Sequence, residues 1–278
     1  MEVAKGSDIT QMATENYTLG YGESSMEWME SRTAVGHGAF LLPYLKPGMR
    51  LLDCGCGPGT LTIGFARHVA PAEAIGIDRD SMQFAAITAE AQREQVSNLR
   101  FEEGDIYALP FDDQSFDIVF GSAVLGSVAN AGVVVREMTR VLKTGGIIAL
   151  KEFDHGADII WPQTPAIARS IELYHRLRDE NGHEPHGGRR LKEFLAANEC
   201  RVEHFNAYFD QQTEPDELKT YIDRNNGLHR EILGPQYCKL GWCTPEDIEA
   251  IVSEWREFAD NPAAIYLAGW LEAIGVKE

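Results

Sequence analysis

Apolar runs and amphipathic stretches alternate through the first half of the chain. Residues 49–53 form a short apolar run, and 60–69 place Leu61, Phe65 and Val69 on one helical face. The rhythm repeats: strand at 74–78, helix at 81–95 with Ser81 as its cap, and a short strand at 99–102. Next come a continuous apolar strand at 116–120, a helix at 133–142 closed by Thr144-Gly145-Gly146, and a strand at 147–153. Strands that stay apolar on both faces and alternate with helices predict an α/β fold with a parallel sheet covered on both sides.

Outside that core the pattern is looser. Residues 1–16 are polar and mixed and are expected to fray. One poorly capped helix is predicted over 24–45. Beyond Asp154, helices are predicted at 165–181 and 189–198, a sixth strand at 201–209, helices at 215–233 and 244–259, and a last strand at 263–276. Thr244-Pro245-Glu246-Asp247 supplies an N-cap, a proline at the first helical position and acids in the first turn. The expected organisation is a helical lid over 1–45, a core over 46–213 and 263–278, and a helical cap over 214–262 at the sheet's ligand edge.

Composition narrows the function classes. With 278 residues, 44% of them hydrophobic, the chain can bury a full core. No apolar run reaches the ~20 residues of a bilayer span, and no apolar stretch follows the first residues. A cytoplasmic protein without integral membrane association is therefore expected. A net charge of −18 repels a phosphate backbone, and the densest basic group, Arg189, Arg190 and Lys192, is followed at once by Glu193. Nucleic acid is not an expected partner. Five cysteines, with Cys54 and Cys56 too close for zinc chelation, read as free thiols. His183-Glu184-Pro185-His186 lacks a helix to present its imidazoles, so no metal is expected. A homodimer stays open as a state of assembly.

The informative segment is Asp53-Cys54-Gly55-Cys56-Gly57-Pro58-Gly59-Thr60, between a predicted strand and helix. Glycines there let the backbone turn sharply and approach a ligand, and the helix N-terminus offers free N–H groups. Asp53, at the strand's end, can hold an ammonium group. Asp78, ending the next strand, can accept from two ribose hydroxyls. A dinucleotide fingerprint needs G-x-G-x-x-G, but Thr60 stands in its last place, and Asp53 would repel a pyrophosphate.

Asp-x-Gly-x-Gly-x-Gly after an apolar strand resembles the first motif of class I S-adenosylmethionine (SAM)-dependent methyltransferases. Ile75-Gly76-Ile77-Asp78, Gly104-Asp105-Ile106-Tyr107 and Val141-Leu142-Lys143-Thr144-Gly145-Gly146 are similar to that family's later segments, in order. The resemblance covers about 46–154 and is nearest to the ubiquinone/menaquinone-biosynthesis type. It implies a Rossmann-like seven-stranded sheet whose final strand is antiparallel, with SAM as cofactor and S-adenosylhomocysteine as product. It also implies a cofactor site of Tyr17, Asp53, Gly55, Cys56, Gly57, Gly59, Thr60, Asp78, Arg79, Asp105, Ile106 and Ser122. Asp105 would accept from the adenine amino group and the Ile106 amide would donate to the ring. Two departures stand out. Gly126-Ser127 replaces a His-His or Glu-His pair common in those proteins, and Thr144 replaces a proline.

The expected reaction is methyl transfer to oxygen, nitrogen or carbon of a small-molecule acceptor. The sulfonium activates the methyl, so the protein mainly aligns the partners and excludes water. Candidate bases at the end of the fifth strand are Glu152 and Asp154, which share a face by period two, and His155 in the following loop. Two other readings stay open: a SAM-binding protein that regulates or catalyses a rearrangement without methyl transfer, and an NAD-dependent oxidoreductase on a similar sheet.

Overall fold

A computed structural model describes residues 15–278. The expected fraying of residues 1–14, and that part of the lid, lie outside the described residues. Four strands form the parallel centre: β1 (Leu51–Cys54), β2 (Ala74–Asp78), β3 (Leu99–Glu103) and β4 (Phe116–Ser122). β5 (Leu142–Phe153) continues it in parallel on β4. β1 and β2 are buried along their whole length, as their continuous apolar sequence requires, while the edge strand β3 carries Arg100, Glu102 and Glu103.

The remaining strands are β6 (Ile159–Trp161), β7 (Cys200–Gln212) and β8 (Ile265–Lys277). The sheet runs β3-β2-β1-β4-β5-β8, with β7 against the far side of β8. β8 is antiparallel to β5, β6 and β7. This is the expected seven-stranded order with an antiparallel final strand; β6, three residues long, is an addition that extends the edge of β5 along β8.

Helices cover both faces. On one side lie α3 (Thr60–Val69) and α4 (Phe84–Arg93), whose Phe65, Val69 and Ile87 are buried against the sheet. On the other, α5 (Ala131–Val141) and α7 (Leu191–Ala197) bury Val134, Met138 and Leu195. A third apolar cluster lies against the β6–β8 edge of the sheet, where Ile160 and Tyr266 pack on it. It joins α6 (Pro165–Glu180) to α8 (Pro215–Leu228), α9 (Gly234–Lys239) and α10 (Pro245–Ala259). Thr244 caps α10 through a reciprocal box with Asp247. The helix expected over 215–233 is present and runs on to Lys239, with a π-helical turn, His229–Leu233, joining α8 to α9.

Two expectations are corrected. The helix over 24–45 is broken into α1 (Glu23–Glu30), α2 (Ala34–His37) and a 3-10 turn, Leu42–Tyr44. Thr33 caps α2 by accepting from the Gly36 amide, which restarts the helix after Arg32. At the next helix the cap is Asp80, accepting from the Met82 amide at 2.9 Å, rather than Ser81, which opens a 3-10 turn before α4.

Candidate active site

In open α/β sheets ligands sit beyond the carboxyl ends of the strands, where the strand order reverses. Here that point lies between β1 and β4, and the loops leaving β1 to β4 line a cleft of about 510 Å³. The turn after β1 is tied to β2 by the Gly55 and Cys56 amides, which donate to the Ile77 carbonyl at 2.8 and 3.1 Å. Gly55 has φ +70°, and a Cβ there would meet Val124 at 2.7 Å. Gly59, at φ +78°, begins α3, and its Cβ would strike the Phe101 ring at 2.5 Å.

Every residue expected at a cofactor site lines this cleft except Gly59, which packs α3 onto the sheet instead. Asp53 is buried, with one oxygen accepting from the Thr62 hydroxyl at 2.6 Å. Burial lifts its carboxyl to about 7, against the pull of the Thr62 bond, and Asp78 adds to the rise. Asp78 accepts from the Gly57 amide at 2.8 Å and the Asp80 amide at 3.1 Å; burial still leaves it above the usual range. Asp105 is oriented by the Tyr107 amide at 2.8 Å, and Ser122 ends β4 on the cleft wall.

A segment from the N-terminal side closes the cleft. Glu15 accepts from the Tyr107 hydroxyl at 2.6 Å and the Ala129 amide at 2.7 Å. Tyr17 and Tyr21 stand 5.3 Å apart, and Arg79 donates to the Tyr21 hydroxyl at 3.3 Å. The sequence did not single out Trp28 and Arg32, which also line the cleft. Arg32 is only 6% exposed and lies 3.7 Å over the Trp28 ring and 5.3 Å from Trp270. Its Nη2 is buried without a hydrogen-bond partner, and burial draws its pKa down to about 10, which leaves it charged at neutral pH. No motif marks such a residue, because the aromatic it shares with α1 comes from the other end of the chain.

The three candidate bases are separated. Period two does place Glu152 and Asp154 together, but their face packs on the turn Gly187–Arg190. Glu152 is fully buried and accepts from the Gly126 and Phe153 amides at 3.0 and 3.1 Å. Burial lifts it to about 7 despite those amides and the Arg178 and Arg32 charges. Asp154 is held by Arg189 through Nε at 2.6 Å and Nη2 at 2.7 Å. Burial raises its pKa less than the Arg189 bonds and charge lower it, so it stays a carboxylate. Neither lines the cleft or the two cavities beside it, which sets both apart from His155. Gly126 explains why the expected pair is missing: a Cβ there would meet Phe153 at 2.9 Å and the Glu184 carbonyl at 3.0 Å, and its own amide anchors Glu152.

His155 points the other way, into a second cavity of about 140 Å³ between the sheet edge and helices α6, α8 and α10. Trp28 lines both cavities. The nearby histidines serve structure: His183 pairs with the Thr18 hydroxyl at 2.8 Å and His186 faces Asp154 at 3.4 Å. Among the described residues no helix is long and apolar enough to cross a membrane.

Comparison with known proteins agrees with this geometry. Aspergillus luteorubrus has a probable methyltransferase, ltbC, 39% identical over 148 residues, which are 50% of this chain and 52% of that protein. The demethylmenaquinone methyltransferase of Lactococcus lactis is 32% identical over 128 residues, 46% of this chain and 48% of its own. The chain thus spans about half the length of these curated relatives. The YcgJ structure from Bacillus subtilis shares the fold with a TM-score of 0.57 at 22% identity, covering 86% of this chain and 97% of that one. Residues 45–223 match the family model of the methyltransferase domain, from the turn before β1 into α8. With the cleft at its sheet's switch point and the family match across most of its length, the chain belongs to the methyltransferase domain family.

Proposed function

We propose that the chain is a cytoplasmic SAM-dependent methyltransferase acting on a small molecule. One observation carries the reading: a single cleft is lined by a buried acid, Asp53, a buried cation, Arg32, and two oriented carboxylates, Asp78 and Asp105. Asp53 holds the ammonium and Arg32 the carboxylate of the amino acid end. Asp78 keeps lone pairs for the ribose hydroxyls beyond the two amides it already accepts. Asp105, its other oxygen fixed by Tyr107, meets the adenine amino group beside the Ile106 amide. The fit is supported from this chain itself by the orphaned Arg32 Nη2 and by Gly55, where a side chain would strike Val124 on the cleft wall. SAM supplies an activated methyl on a sulfonium. The protein's own part is to bind, orient and exclude water, with Tyr17 and Tyr21 closing over the cleft.

The proposed organisation keeps a lid over 1–45, a core over 46–213 and 263–278, and a cap over 214–262. The cap also draws in α6, whose Ile167, Leu173 and Leu177 share its apolar cluster. A net charge of −18 supports a small acceptor over a nucleic acid.

Calorimetric titration with SAM, S-adenosylhomocysteine and NAD tests the reading. The expected result is micromolar binding of both sulfur ligands and none of NAD. Binding of NAD alone would turn the reading to an oxidoreductase. Tight SAM binding with no labelled methyl passed to any acceptor would favour a SAM-binding protein that does not methylate.

A further inference from the structure

The second cavity has a composition unlike the first. Its walls are aromatic and aliphatic, with Phe153, Tyr174, Trp255, Tyr266 and Trp270 prominent. Its volume of about 140 Å³ is that of a site for one ring; an apolar cavity of roughly 150 Å³ takes a benzene. Polar groups interrupt that lining: Ser170, His175, Asp210, Arg224, Asn225 and His229 reach it, and His155 and Asp158 form one wall. There His155 Nδ1 lies 3.1 Å from Asp158 Oδ2, and Asp158 Oδ1 accepts from the Gly269 amide at 2.8 Å. A carboxylate only accepts, so Nδ1 carries the hydrogen and Nε2 keeps its lone pair. Nε2 is buried with no protein partner. Burial holds the imidazole below its ordinary pKa, partly offset by Asp158, so the lone pair is free at neutral pH. Through Asp210, Tyr221 and Arg224 the chamber adjoins a third cavity running out along β7 and α8.

We infer that this chamber takes a neutral single-ring acceptor bearing an acidic hydroxyl, a phenol or enol, and that His155, oriented by Asp158, removes the hydroxyl proton. The inference rests on SAM occupying the larger cleft with its methyl turned toward the chamber, which shares Trp28 with that cleft. The oxygen–methyl bond forms as the methyl–sulfur bond breaks, and that bond's electron pair stays on sulfur. The hydroxyl proton ends on His155 Nε2, where Asp158 balances the imidazolium.

The probe is 4-nitrophenol, whose neutral and ionised forms differ in colour, titrated with and without S-adenosylhomocysteine. The wild-type protein is expected to bind one dye and ionise it. His155→Gln should leave dye affinity within about threefold and lower the ratio of ionised to neutral bound dye roughly tenfold, the scale of one pKa unit. Asp158→Asn should do the same, because an amide donor facing Nδ1 moves the imidazole hydrogen to Nε2. Ile171→Trp, filling the chamber, should abolish dye binding while S-adenosylhomocysteine affinity stays unchanged. No dye binding in either condition, or binding that survives Ile171→Trp, overturns the chamber. Equal ionisation in wild type and both dyad variants overturns the base. Failure of S-adenosylhomocysteine to bind counts against the cofactor reading alone, since the dye is also titrated in its absence.

Discussion

At the scale of single residues, burial rather than sequence position sets the chemistry. Asp53 has a folded pKa near 7, above its ordinary value, because it is buried with one hydroxyl for company. Folding therefore takes up a proton between about pH 4 and 7, and this group's contribution to stability falls as pH rises through that window. A ligand ammonium reverses the preference by favouring the carboxylate. SAM affinity is thus expected to rise with pH up to about 7, to level before the ligand's own amine deprotonates near 8, and to fall up to tenfold per unit below 7. Calorimetry in buffers of different ionisation heats should show proton release on binding near pH 7, and Asp53→Asn should flatten the acid limb. A flat profile in the native protein would detach Asp53 from the ammonium. Asp53 and Asp78 were legible because each lies at the end of a strand in a recognisable motif, and Asp105 because it closely follows one. Arg32 was not, since its environment is built from Trp28 and Trp270, far apart in sequence. Glu152 and Asp154 show a related limit: periodicity gives a shared face but not what covers it.

At the scale of elements, strands and capped helices were the readable part. The α3 bounds and the α10 cap follow directly from glycine, proline and threonine positions. The N-terminal segment was not, because its break is imposed by tertiary packing. Gly64 on α3 brings Ala34 of α2 so close that an added Cβ would stand 2.4 Å from the Ala34 Cβ. Gly64→Ala gains about 1 kcal/mol of helix propensity but overpacks the contact at a cost of about 1–3 kcal/mol. A net loss of stability is expected in denaturant titration. Because Arg32 immediately precedes α2, the same variant should also weaken SAM binding. Unchanged stability and affinity would mean that α2 yields freely and does not hold Arg32.

At the scale of the whole molecule, the apolar interior is divided. Two clusters sandwich the sheet, and the third holds α6, α8 and α10 to one another. Cooperative opening follows such divisions. Amide exchange in 215–259 is therefore expected to be faster than in β1, β4 and β5, and a phenol seated in the chamber should slow it. Uniform protection across both regions would show that cap and sheet open as one unit. The sequence could place the cap in chain order, but its partnership with α6 depends on a contact between segments that share no motif.

One consequence of the strand order concerns time. β8 occupies residues 265–277 yet is the strand that joins β5 to β7. On the ribosome, the family motif, the cleft-lining loops and the cap helices are all synthesised first, and the long edges of β5 and β7 wait for their shared neighbour. Unpaired edges are templates for other chains. The nascent protein therefore passes its most vulnerable interval late, with its cofactor cleft already assembled from earlier strands. A ligand captured there would steady β1 to β4 before β8 joins β5 to β7.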